Sequence, residues 1–232
     1  MNHNISVILL GAGRSKRFIS NQIKQNVLVN KRSILDYSRL FFNKYFPKSN
    51  IFIVVNKKVI INKLKTNEKK IYGSSSRLKS LHVALKKILQ KNIQTKYTLI
   101  HDIARPILNI YDIKRLVASI NLGVDASTLG YPLTNALKEV KKNTVHSNLY
   151  RDNLWSSFTP QIFKTDKLHE SIEKIIDGGY DVDDDVEALM MSNFKCSIVK
   201  SSPDNIKITF LEDIEVIKKL LWLIHALGMA MT

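Results

Sequence analysis

Cysteine occurs once in 232 residues, at Cys196. A lone thiol excludes an internal disulfide framework and a Cys-rich zinc site. Long apolar runs are missing too. The longest, around Leu220–Ile224, is far below the ~20 residues of a membrane-spanning helix. Met1–Ser6 is polar and leads directly into a strand-like run, so it does not read as a secretory signal. With only 5 Pro and 8 Gly, the chain holds no low-complexity linker, and it has no internal repeat. These absences predict a cytoplasmic protein in a reducing compartment, with no membrane partner. Acidic residues are outnumbered: 20 Asp+Glu face 36 Lys+Arg, a net charge of +16. Lys supplies 28 of those cations and Arg only 8, and the lysines are scattered, as at Lys57, Lys58, Lys63, Lys65, Lys69 and Lys70. Scattered lysine reads as a solvated basic surface, and no nucleic-acid partner is expected.

What is present is a globular composition, 44% hydrophobic and 24% charged, long enough for one large domain with a sizeable core. Residues 1–222 read as that domain, and residues 223–232 as a short tail. Ser6–Leu10, Ile51–Val55 and Tyr97–His101 are apolar runs of buried-strand length. Between them lie helical spacings over Ile34–Phe46, stopped by Pro47, and over Leu78–Leu89, with another at Tyr111–Ile120. Alternating strands and helices predict an α/β fold, a mostly parallel sheet with helices on both faces. Residues 126–163 change to short β-like pieces interrupted by Pro132 and Pro160, which reads as a β excursion from the sheet, an arm. A helix through Leu168–Ile176 ends at Gly178-Gly179, a second spans Asp183–Met191, Cys196–Val199 is a strand, Asn205–Thr209 is extended, and Glu212–Leu221 is the last helix.

The first strand runs into Gly11-Ala12-Gly13-Arg14-Ser15-Lys16-Arg17. Small residues there let backbone N–H groups approach a ligand. A dinucleotide loop would carry a third Gly near Lys16 and an acid where Asn56 stands, and the Gly-Lys-Ser/Thr of a Walker loop is absent. A Gly loop followed by three cations suits a nucleoside triphosphate; a plain strand-to-helix turn with surface cations is the other reading. The run Asp181–Asp185 is no calcium loop, lacking the Gly and the closing Glu, and reads as acids stabilising a helix N-terminus. The six His show no metal-ligand spacing, and His101 reads as structural.

Farther along come Lys24-Gln25, Arg77 with Ser80, His101-Asp102-Ile103-Ala104-Arg105-Pro106, Thr159-Pro160-Gln161, Asp184-Asp185 and Asn205-Ile206-Lys207-Ile208-Thr209. With the Gly loop, this ordered set resembles the 2-C-methyl-D-erythritol 4-phosphate cytidylyltransferase family over about residues 5–220. The resemblance implies a Rossmann-like nucleotidyltransferase fold and a homodimer formed through the β arm. It also implies transfer of a cytidylyl group from CTP to the polyol phosphate, with Mg²⁺ on the triphosphate. Matched residue by residue, Arg17 and Lys24 would stabilise the transition state. Arg151 would reach from the arm into the partner's site, and Lys207 would position the substrate. Gly11, Ala12, Gly13, Ser74, Ser75 and Ser80 would hold the nucleotide. Asp102, Arg105 and Ala136 would face the substrate, Asp102 also lying near the metal. For Arg105 an ion pair with Asp102 is the alternative.

The chain departs from the family pattern in places. Gly11 replaces an Ala, Ser15 a Gly, and Ile23 a Pro whose loss should loosen the presentation of Lys24. Ser74-Ser75-Ser76 replaces a Gly and acidic residues, Asn135-Ala136 an Asp-Thr pair, and Phe210-Leu211 a polar-Pro step. These changes predict weak activity or altered selectivity, with a ribitol 5-phosphate or other polyol-phosphate cytidylyltransferase, or an impaired remnant, as alternatives. Ala226–Thr232 matches what codons for the start of a fused cyclodiphosphate synthase give when read one nucleotide late, which predicts an out-of-frame remnant.

Overall fold

The computed structural model describes residues 4–13, 17–18, 22–90, 93 and 95–226. Four strands with fully or largely buried runs build the centre: β1 (Ile5–Gly11), β4 (Ile51–Val55), β6 (Tyr97–Asp102) and β7 (Ala126–Pro132). Branched aliphatic residues buried on both faces are what a covered parallel sheet needs. β5 (Glu68–Tyr72), β10 (Trp155–Lys164) and β11 (Cys196–Lys200) complete seven strands in the order β11-β7-β10-β6-β1-β4-β5. β1 runs parallel to β4 and β6, with Leu9 opposite both Ile53 and His101, and β10 alone is antiparallel to its neighbours. A small hairpin, β2 (Leu28–Val29) with β3 (Arg32–Ser33), follows the 3-10 turn Lys24–Asn26.

Helices cover both faces. α1 (Ile34–Tyr45), α3 (Ile110–Ser119) and α6 (Asp213–Ala226) close one core, around Phe41, Phe42, Leu99 and Ile217. α2 (Arg77–Gln90), α4 (Thr165–Asp177) and α5 (Asp185–Met190) close the other, around Phe52, Leu85, Phe163 and Ile172. Caps fix the helix starts: Ser33 Oγ accepts from Asp36 N and Asn109 Oδ1 from Tyr111 N. α1 lies on one face and α2 on the other, so the chain reverses direction between β1 and β6. In open α/β sheets that switch point, at the strands' C-terminal ends, is where a ligand cleft opens.

The arm is narrower than residues 126–163. β7 and β10 belong to the main sheet, and only the hairpin β8 (Leu137–Lys141) with β9 (Thr144–Leu149) leaves it. Its two-residue turn, Lys142-Asn143, has φ of 45° and 63°, the left-handed pair that matches strand twist in a tight hairpin. The tail boundary also moves, since α6 continues to Ala226. Residues 227–232, on which the out-of-frame reading rests, lie outside the described residues, as do Arg14, Ser15 and Lys16. Among the described residues no helix is long and apolar enough to cross a membrane.

Candidate active site

A cavity of about 350 Å³ opens at the switch point, within the size range of small-ligand sites. Its first wall is the turn after β1, Gly11-Ala12-Gly13. Gln25 braces this wall from below, its Nε2 donating to Gly11 O over 2.5 Å. The loop before α2 closes against it: a Cβ on Gly73 would lie 2.2 Å from Ala12 Cβ and 2.8 Å from Ser80 Oγ. Only glycine permits that approach. Ser80, buried, lines the cavity; its Oγ donates to Ser76 O (2.6 Å) and accepts from Ser74 N (2.9 Å), which ties the serine loop to the start of α2.

Cations line the cavity as well. Arg17, Lys24 and Lys207 all line the cavity. Lys24 Nζ donates to Ile208 O (2.9 Å), joining the 3-10 turn to the extended stretch before α6. Burial, then the neighbouring Lys207 charge, pulls the Lys24 ammonium below its ordinary value. Ile23 stands where the family pattern has proline, yet its φ of −73° and ψ of 119° lie in proline's own range. The turn therefore keeps a backbone shape that proline would also adopt.

The floor is Asp102, at the end of β6. Its Oδ1 accepts from Arg77 Nε (3.2 Å) and its Oδ2 from Lys207 Nζ (2.7 Å). Burial would raise its pKa, but the Arg77 charge and then Lys207 overcome this and hold the carboxyl below the usual carboxylate range. Asp102 is therefore an anion at neutral pH. Arg77 reaches beyond it, Nη1 donating to Asp185 Oδ1 at 2.6 Å.

The sequence-predicted residues thus divide. Gly11, Ala12, Gly13, Arg17, Lys24, Ser80, Asp102 and Lys207 meet in one cavity. Ser74 and Ser75 sit beside it, exposed, in the loop before α2. Ser76 Oγ accepts from Lys79 N (3.1 Å), so this serine caps a helix start. Arg105 does not pair with Asp102. Its Nη1 donates to Asn205 O (2.6 Å) and its guanidinium lies 5.3 Å from the Phe158 ring centroid. Arg151 and Ala136 are exposed on the arm's flanks, outside this chain's cavity. Of the acidic run, Asp184 caps α5 as expected, accepting from Glu187 N (2.9 Å). Asp185 does not act as a surface helix-end charge: it is buried and bound to Arg77. Arg77 and Asp185 both stand in the motif set, but only the fold brings α2 and α5 to one point. His101 is buried, and its Nε2 donates to Arg105 O (3.0 Å); it holds the turn after β6.

The sequence and the fold recur in known proteins. The family model described as IspD, 2-C-methyl-D-erythritol 4-phosphate cytidylyltransferase, matches residues 5–221. A protein of that name from Wigglesworthia glossinidia brevipalpis is 32% identical over 221 residues, spanning 92% of this chain and 94% of its own. Its namesake from Buchnera aphidicola subsp. Acyrthosiphon pisum is 28% identical over 90% of each chain. The crystal structure of the Francisella tularensis enzyme of this name matches with a TM-score of 0.80 at 28% identity, covering 93% of this chain and 99% of that one. The chain belongs to the 2-C-methyl-D-erythritol 4-phosphate cytidylyltransferase family.

Proposed function

We propose that this cavity joins CTP to 2-C-methyl-D-erythritol 4-phosphate, giving 4-diphosphocytidyl-2-C-methyl-D-erythritol and pyrophosphate. A phosphate oxygen of the alcohol substrate attacks the α-phosphorus of CTP, and the bond from that phosphorus to the β-phosphate bridge breaks. A phosphate is already a nucleophile, so the protein needs no activated Ser or Cys. Its task is to hold two polyanions together and to stabilise charge on the equatorial oxygens. The observation that carries the reading is that Arg17, Lys24 and Lys207 line one cavity together with the Gly11–Gly13 turn.

In this reading the turn holds the triphosphate, Arg17 and Lys24 face the α-phosphate, and Lys207 orients the attacking phosphate. Asp102, kept ionised, accepts from a substrate hydroxyl. A divalent cation such as Mg²⁺ fits the site through Asp102, whose Oδ2 accepts, among the described residues, from the partly exposed Lys207. Mg²⁺ commonly takes one or two carboxylates and fills its shell with phosphate oxygens and water. When bound, it neutralises triphosphate charge. Among the described residues no group of three His, Cys, Asp or Glu is placed to hold a metal unaided, so the ion is expected to arrive with the nucleotide.

A homodimer in the cytoplasm completes the reading. The arm exposes Val140, Val145, Leu149 and Tyr150, and an isolated two-stranded hairpin is marginal without a surface to pack on. A second copy supplies that surface and brings Arg151 into range of the neighbouring cavity. The test is pyrophosphate release by purified protein with Mg²⁺ and each nucleoside triphosphate, paired with methylerythritol phosphate or with ribitol 5-phosphate. Release with CTP and methylerythritol phosphate alone is expected. Release with another pair, or none from a folded protein, overturns the reading.

A further inference from the structure

Buried carboxylates that do not touch a ligand call for a reason, and Asp185 is the most enclosed of them near this cavity. Its side chain is 1% exposed. Oδ1 accepts from Arg77 Nη1 at 2.6 Å, while Oδ2 is buried with no hydrogen-bond partner among the described protein atoms. An unsatisfied buried acceptor is destabilising, and a buried ion pair is at best a weak source of stability. Folding alone is a poor account of this residue.

Geometry supplies a better one. Arg77 is a forked bridge: Nε meets Asp102 Oδ1 at 3.2 Å, and Nη1 meets Asp185 Oδ1 at 2.6 Å. A planar guanidinium held at two points cannot rotate about its stem. One oxygen of Asp102 is thereby pinned to Arg77 and the other is left for Lys207 and the cavity. Without Asp185, the partly exposed Arg77 keeps a single anchor and is free to swing toward the ligand phosphates. The charge balance has its own consequence. Burial pushes the Asp185 carboxyl up, but the 2.6 Å contact with the Arg77 guanidinium holds it as an ion pair; Asp102 and Asp185 then together cancel Arg77 and Lys207, leaving Arg17 and Lys24 as the net charge presented to the triphosphate.

We infer that Asp185 is a positioning residue of the transferase site: it fixes Arg77, and Arg77 fixes the carboxylate of Asp102. The inference rests on the reaction proposed above. Its test separates the two because the wild-type protein is assayed first. If it turns over CTP and methylerythritol phosphate, variants are compared by kinetics. If it does not, the same cycle is read in CTP–Mg²⁺ affinity by calorimetry.

Asp185→Asn keeps the shape and an acceptor for Arg77 but removes the charge; Asp185→Glu keeps the charge and is the fallback should the amide variant not fold. For Asp185→Asn we expect kcat to drop by about tenfold or more, as small misplacements at a reacting centre do. The KM for CTP is expected to stay level or fall, because the released Arg77 can turn its charge toward the triphosphate. A residue that only supported the fold would instead raise KM and lower the melting temperature. In the Arg77→Gln background, Asp185→Asn is expected to add nothing, since neighbours acting in series are not additive. In the calorimetric arm, Asp185→Asn is expected to tighten CTP–Mg²⁺ binding, and to leave it unchanged once Arg77 is Gln. Unchanged kcat in Asp185→Asn, or losses that multiply in the double variant, overturn the inference. So does unchanged or weakened binding in the calorimetric arm.

Discussion

Gly73 decides how closely two loops approach. Its N–H donates to Val55 O at 3.0 Å, continuing the sheet edge by one residue. Its missing side chain lets the serine loop lie on Ala12, where any Cβ would meet the Ala12 methyl at 2.2 Å. That neighbour is a Cβ fixed to the backbone of the Gly11–Gly13 turn and cannot rotate away. Gly73→Ala must therefore push the two loops apart. Overpacking of this kind costs about 1–3 kcal/mol. Thermal unfolding should show a melting point lower by about 2–10 °C for a chain of this size. The KM for CTP should rise with it, since the displaced loop packs on Ala12 and Ser80, which line the cavity. A variant with wild-type melting and wild-type KM would mean that the loop yields freely.

Among the elements, β6 joins stability to the site, because it ends in His101 and Asp102. Full burial lowers the His101 pKa from the ordinary 6.5 to about 3. Well above pH 6.5 the ring is neutral in both folded and unfolded chains and contributes no pH dependence. Below that value the unfolded chain takes up a proton that the folded one refuses, so stability falls with pH, by about 1 kcal/mol between pH 6 and pH 5. Asp102 titrates lower, held down by the Arg77 and Lys207 charges against the effect of burial, so it stays out of this window. Urea unfolding of the wild type and of His101→Gln at both values should show the variant losing less on acidification. Equal losses would mean that His101 is not held neutral. Element by element, the sequence was readable where burial and pattern agreed. The run Ile51–Val55 could only be a covered strand. β5 was invisible because Glu68-Lys69-Lys70 reads as surface, yet Glu68 is buried in the grip of Arg39 (Oε1 to Nε 3.0 Å) and Asn43 (2.8 Å) at the sheet edge. The site divided the same way. Its cations and glycines announce phosphate chemistry by type and spacing. The Arg77–Asp185 bridge spans 108 positions and has no local signal at all.

At the scale of the whole molecule, one chain does not bring all the matched residues together. Lys207 lines the cavity, whereas Arg151 stands exposed on the segment between β9 and β10. The apolar residues of the arm, with Val140 and Val145 opposite each other in the hairpin, face solvent in the isolated chain. If two copies exchange arms, each cavity draws Lys207 from one chain and Arg151 from the other, a self-complementary arrangement. Arg151→Ala and Lys207→Ala should then each lower turnover by on the order of 10²-fold when assayed alone. Mixed in equal amounts and allowed to re-pair, half of the dimers carry one chain of each kind. Each of those has one cavity with both residues intact and one with neither. Activity should therefore recover to about a quarter of wild type per site. Recovery that tracks the rate of subunit exchange is the signature of a shared site. If the mixture stays as inactive as its components while exchange is verified by mass, Arg151 acts within its own chain or not at all.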